Sequence, residues 1–115
     1  MSVVRKLERI KFPSSYQYRT VNAGETKVVW EMPVTGGFIA FIRKVAFDWY
    51  GDTYWEFIVD GIPEKIEFTI PSTDPERYDP PIIAYKRIKW IFHNTSTTDR
   101  TVGVLCDGEL VREKA

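Results

Sequence analysis

The sequence predicts an all-β protein, a jelly-roll-like antiparallel β-sandwich of about seven to nine short strands forming a single domain over residues 1–115. Three observations predict it. Apolar and polar residues alternate with period two in several segments, as in strands with one face in a core and one in water. Turn signals recur at short intervals between those segments, as they do in sandwiches and barrels. Two segments run into an Asp-Gly pair, Asp60-Gly61 and Asp107-Gly108. Asp-Gly suits a two-residue type I′ hairpin turn, in which both residues take positive φ.

Taken in order, residues 3–12 fit a helical stripe through Val3, Leu7 and Ile10, and fit a strand through Val4, Ile10 and Phe12 less well. They hold Arg5, Lys6, Arg9 and Lys11 against Glu8. Both a basic N-terminal arm over 1–13 and a first edge strand remain open. Pro13-Ser14-Ser15 breaks the segment. Residues 16–21 alternate and read as a strand, 23–25 as a turn, and 26–32 as the hairpin partner of 16–21.

Residues 38–50 are the longest strand candidate. One face carries Phe38, Ala40, Ile42, Lys44, Ala46 and Asp48, and the other Ile39, Phe41, Arg43, Val45, Phe47 and Trp49. Both faces are apolar in the first half, which predicts a central strand that is covered on both sides or reaches into a subunit contact. Strands are expected over 53–59, ending on Asp60-Gly61, and over 62–70, where Pro63 argues for an edge or a bulge. Residues 71–81 read as one long, proline-stiffened loop. Residues 82–92 read as a further strand, 94–99 as a polar turn, and 101–106 as the returning strand that closes on Asp107-Gly108. Residues 112–115 read as frayed.

Composition narrows the function. Sixteen basic and sixteen acidic residues cancel, whereas a dedicated nucleic-acid binder carries a basic excess. Zero net charge also leaves self-association unopposed. With Cys106 as the only cysteine, neither an intrachain disulfide nor a Cys-based zinc site is expected. No apolar signal region or membrane span is visible, so a soluble protein made in the cytoplasm is expected. Gln17, Asn22 and Asn94 are the only amides, a scarcity of thermolabile residues that points to a thermophilic source.

The chemical constellations are weak. His93, the lone histidine, reads as a strand-end residue, because a triad would need a nucleophile on an apt turn and no such pattern exists. Asp48, Asp52, Glu56 and Asp60 could bind calcium or form a glycosidase pair, but they read as a solvated acidic rim. Lys86, Arg87 and Lys89, interleaved with Tyr85 and Trp90, have the form of a single-strand binding strip, against which the charge balance weighs. Trp55, Trp90, Tyr78 and Tyr85 are candidates for a sugar-binding platform, although strand aromatics are more often core. Asn94-Thr95-Ser96 matches a glycosylation acceptor that means nothing without secretion. No catalytic residue, metal ligand or cofactor is expected, and the protein reads as a non-enzyme.

Residues 38–49, DTYWEFIVDG at 52–61, DPPIIAYKRIKWIFHNTS at 79–96 and TVGVLCDG at 101–108 resemble small β-sandwich virion proteins of tailed phages and related viruses. The resemblance is one of layout and carries no catalytic residues. It implies a structural protein of the virion, in capsid decoration or cement or a tail connector, working as a homo-oligomer, a trimer, on another virion protein such as a capsid protein. Phe38, Phe41 and Trp49 are the apolar interface candidates, with Arg5, Arg9, Lys86 and Lys89 setting register against the acidic segment of a neighbouring copy. The alternative from another class is a carbohydrate-binding module that uses the surface aromatics.

Overall fold

Nine strands and no helix form over residues 6–64 and 75–114, the residues that the computed structural model describes. They are β1 (Leu7–Lys11), β2 (Tyr16–Val21), β3 (Thr26–Pro33), β4 (Ile39–Phe47), β5 (Thr53–Val59), β6 (Ile62–Glu64), β7 (Glu76–Ala84), β8 (Arg87–Asn94) and β9 (Arg100–Glu113). All pairings are antiparallel. In sheet A, β1 and β2 lie one after the other along β9, followed by β4 and β7; sheet B runs β3-β8-β5-β6.

The pairs β5–β6, β4–β7, β3–β8 and β2–β9 are the rungs of one long hairpin. Its tip is Asp60-Gly61, with φ of 53° and 82°, the left-handed pair that a type I′ turn demands. Successive rungs alternate between the sheets, which is the jelly-roll arrangement. Sequence neighbours therefore seldom pair. Residues 16–21 and 26–32 form strands as expected but lie in opposite sheets, and β9 likewise leaves the sheet of β8.

Other expectations need correcting. The second Asp-Gly makes no turn: β9 runs unbroken through Asp107 and Gly108 for 14 residues. The segment 82–92 is two strands, divided at Tyr85-Lys86. The second half of the expected loop, from Glu76, is strand β7, while 71–74 and the later part of the expected 62–70 strand lie outside the described residues. The N-terminal segment resolves as an edge strand, β1. Strand β4 is central, between β9 and β7, as expected, but its faces are not. Arg43 is the extra residue of a β-bulge, so Ala40, Ile42, Val45 and Phe47 all reach the core.

That core is one cluster between the sheets. Phe57 stacks on Trp90 with centroids 4.2 Å apart, and Phe47 and Trp55 pack around the same indole. Each aromatic so buried contributes roughly 2–3 kcal/mol. The Trp90 indole N–H has no good hydrogen-bond partner. It faces the Cys106 thiol, a weak acceptor, whose pKa burial pushes up to about 12. Asn94 is also buried, and fully satisfied. Its amide donates to the carbonyls of Val21 and Thr98, both at 2.9 Å, and accepts from Ser96, pinning the crossover from β8 to β9. Between β2 and β3 the sandwich is closed by side chains: Gln17 donates to the Glu31 carbonyl and Arg19 to that of Val28.

Candidate functional site

Among the described residues no layer packs over the outer face of sheet A, and the residues of that face follow from the register. Strand β9 alternates strictly, so Leu105, Asp107, Glu109, Val111 and Glu113 point outward with the residues paired to them. At the end built from β1, β4 and the C-terminal half of β9, those partners are Leu7, Arg9, Ile39 and Phe41, with Ile83 beside Phe41 on β7. Leu7 is 50% exposed and Ile83 42%. Leu7, Ile39, Phe41 and Val111 line a shallow groove of about 880 Å³.

Next along the face is a band of charge. Two residues on β4 and one on β9 meet at the Arg43 bulge, which turns both Arg43 and Lys44 outward. Gly108 lies opposite, where any Cβ would collide with the Phe41 carbonyl. Glu109 accepts from Arg43 at 2.7 Å and from Arg9 at 3.1 Å. Arg43, set against some burial and helped by Arg9, holds the Glu109 carboxyl below its usual range. Lys44 pairs with Asp107 at 3.7 Å.

Beyond the band stand two exposed tyrosines on β2. Tyr16 is 56% exposed and Tyr18 70%, their centroids 6.1 Å apart and their planes 33° from parallel. The Tyr16 ring lies directly over Gly103. The Asp48 carboxylate accepts from the Gly103 N–H at the same place.

The interface candidates scatter. Phe41 and Arg9 share the sheet A face. Phe38 is half-buried against the core under the Arg112 guanidinium. Trp49 is 49% exposed in the β4–β5 connection, and Lys86 is exposed in the β7–β8 turn. Lys89 is on the outer face of sheet B, opposite Glu31. Arg5 lies outside the described residues. The proposed sugar platform does not form. Trp55 and Trp90 sit on the inner faces of β5 and β8 and are buried; Tyr78 packs against the core, and Tyr85 stands apart in a turn.

The acidic run is also dispersed. Asp48 bonds Gly103, and Glu56 bonds His93 on the outer face of sheet B. Asp60 accepts from the N–H groups of Tyr85, Lys86 and Arg87 at 2.7–3.0 Å. Burial works to raise its pKa, but those three bonds and the Lys86 charge outweigh it and lower it. Among the described residues no three His, Cys, Asp or Glu side chains gather as a metal site.

His93 proves better connected than a strand-end residue need be. Its Nδ1 lies 3.0 Å from Thr26 Oγ1, its Nε2 meets Glu56, and the Tyr54 ring stacks on it at 4.2 Å. A hydroxyl, an imidazole and a carboxylate in line have triad chemistry. Here they lie on an open sheet, whose backbone N–H groups run in the sheet plane and do not converge as an oxyanion hole requires. The arrangement orients the imidazole.

Sequence reasoning missed Leu7, Ile39, Val111, Tyr16, Tyr18 and the Arg43–Lys44 pair as site residues. The available signal was Gly108, which marks a bulge. Comparison with known protein families, with curated proteins and with solved structures gave no match.

Proposed function

We propose that this chain is a non-enzymatic structural protein that lays the outer face of sheet A against another protein surface, self-associating as a closed oligomer within a virus particle. The observation that supports it is the apolar end of that face. Leu7, Ile39, Phe41 and Ile83, with Val111 buried among them, form a contiguous patch with no covering layer among the described residues, and contiguous exposed apolar surface marks an interaction site. The setting on a virion, in decoration or cement, and the trimer come from the resemblance in layout. Light scattering tests the association. At tens of micromolar, a mass that is a small multiple of 13.4 kDa is expected, with Phe41→Glu shifting it to the monomer. A wild-type monomer overturns the proposal.

A second reading has its own observation, the Tyr16–Tyr18 shelf. Two neighbouring exposed rings beside the Asp48 carboxylate suit the apolar face and hydroxyls of a sugar, so a carbohydrate-binding role stands on these tyrosines and not on Trp55 and Trp90. Native electrophoresis in a gel containing soluble β-glucan would retard the wild type relative to a Tyr16→Ala, Tyr18→Ala variant. Equal mobility removes this reading.

A further inference from the structure

The overall charge of zero hides a concentrated excess. Five cations, Arg9, Lys11, Arg43, Lys44 and Arg77, gather on the outer face of sheet A around two carboxylates, Asp107 and Glu109. They come from three strands, and two irregularities place them. The β4 bulge turns Arg43 and Lys44 to the same side, and the register break in β7 between Ile82 and Arg77 sets Arg77 opposite Lys44. Lys11 ends β1 opposite Glu109. Lys11, Arg43, Lys44 and Arg77 line a concavity of about 270 Å³, floored by Gly108. Glu109 is already shared by two arginines, and the side chains of Lys11 and Arg77 have no partner among the described residues.

We infer that this cluster is a docking site for an acidic segment of a different protein, whose carboxylates take Lys11 and Arg77 beside the apolar patch. Charge complementarity sets the sign of the partner. Arginine favours carboxylate, which it can hold by two parallel bonds.

A second copy is the weaker donor, because most carboxylates among its described residues are engaged, Asp52, Glu76 and Asp79 being the exceptions. Glu8 holds Arg112, Glu31 holds Arg87 and Glu56 holds His93, while Asp48, Asp60 and Asp99 accept from backbone N–H groups. The site lies on the same face as the apolar patch of the proposed function, beside it, and takes a different occupant.

The test uses the full chain with fluorescent poly-L-glutamate as probe and oligothymidylate as competitor class, read by anisotropy. Poly-L-glutamate binding is expected at low salt and should fall steeply as NaCl rises from about 20 mM to about 500 mM, where the screening length drops well below about 10 Å. The Lys11→Gln, Arg77→Gln variant removes charges that have no partner among the described residues, so its melting curve should match the wild type while its binding weakens at least about tenfold, or about 1.4 kcal/mol. Lys86→Gln, Lys89→Gln, on the other basic strip, should leave binding unchanged. Absence of binding at low salt overturns the inference, as does equal loss in the two variants. Tighter binding of oligothymidylate than of poly-L-glutamate overturns the choice of partner. Light scattering on the same samples reports self-association separately, so the failure of one proposal is distinguishable from the failure of the other.

Discussion

Gly61 sits at φ 82° with open space around it, whereas Gly108 has no left-handed backbone and no room for a side chain. Each follows an aspartate, and each is glycine for a different reason. At Gly61 an added Cβ costs only the left-handed penalty, about 1–2 kcal/mol. At Gly108 it meets the backbone carbonyl of Phe41, which cannot rotate away as a side chain can. Gly108→Ala should therefore cost more than Gly61→Ala, about 3 kcal/mol, with denaturant midpoints as the measurement. Equal costs would mean that the bulge yields easily. The same contrast shows what was legible in the sequence. Asp-Gly reports a backbone need for glycine, not which need, and the tip at 60–61 was readable only because Ile62 and Pro63 begin a strand that returns along β5. Trp55 and Trp90 were ambiguous for a similar reason. Alternation places them on one face of a strand, but whether that face is core or platform depends on the partner sheet.

At the scale of elements, seven of the nine described strands fall on segments that alternation marks as strands, β1 being open and β7 missed, but their pairing does not follow. In a jelly roll each rung beyond the tip joins strands far apart in sequence, so a hairpin rule that pairs neighbours succeeds only for β5–β6. Segments 16–21 and 26–32 read as a hairpin, but they lie in opposite sheets, and on β2 the two tyrosines stay exposed while Val21 alone is buried. The strand at 76–84 was hidden by Asp79-Pro80-Pro81, which falls where β7 leaves the register of β4. These irregularities have a common consequence, because they blunt the sheet edges. Strand β7 carries its break and two prolines, β3 a bulge, and β6 holds Pro63. An antiparallel pair of β1 strands about a two-fold would set Arg9 against Arg9 or against Lys11, repelling like charges. Association by edge-to-edge pairing is thus disfavoured at β1, β3, β6 and β7, which favours the faces, and the outer face of sheet A above all.

At the scale of the whole molecule, a neutral total charge is held in place by a few well-connected carboxylates, and acid should release them. Asp60 ties the tip of the long hairpin to the β7–β8 turn, and Glu109 ties β1 and β4 to β9. Both have folded-state pKa values below their ordinary 3.8 and 4.5. The unfolded chain then takes up protons more readily than the folded one. Their stabilisation is present above the ordinary values and is lost as pH falls through the lowered ones. Both groups lie near the surface, where solvent screens them, so each should be worth no more than about 1 kcal/mol. Protonating Glu109 also frees Arg9 and Arg43, adding charge to a face that already carries an excess of cations. The melting temperature should accordingly hold steady from neutral pH to about pH 5 and fall steeply below about pH 4. An Asp60→Asn, Glu109→Gln variant should start lower at neutral pH and show a flatter acid limb, because the groups that titrate have been removed. If the variant loses stability in acid as steeply as the wild type, carboxylates other than these two govern the acid response.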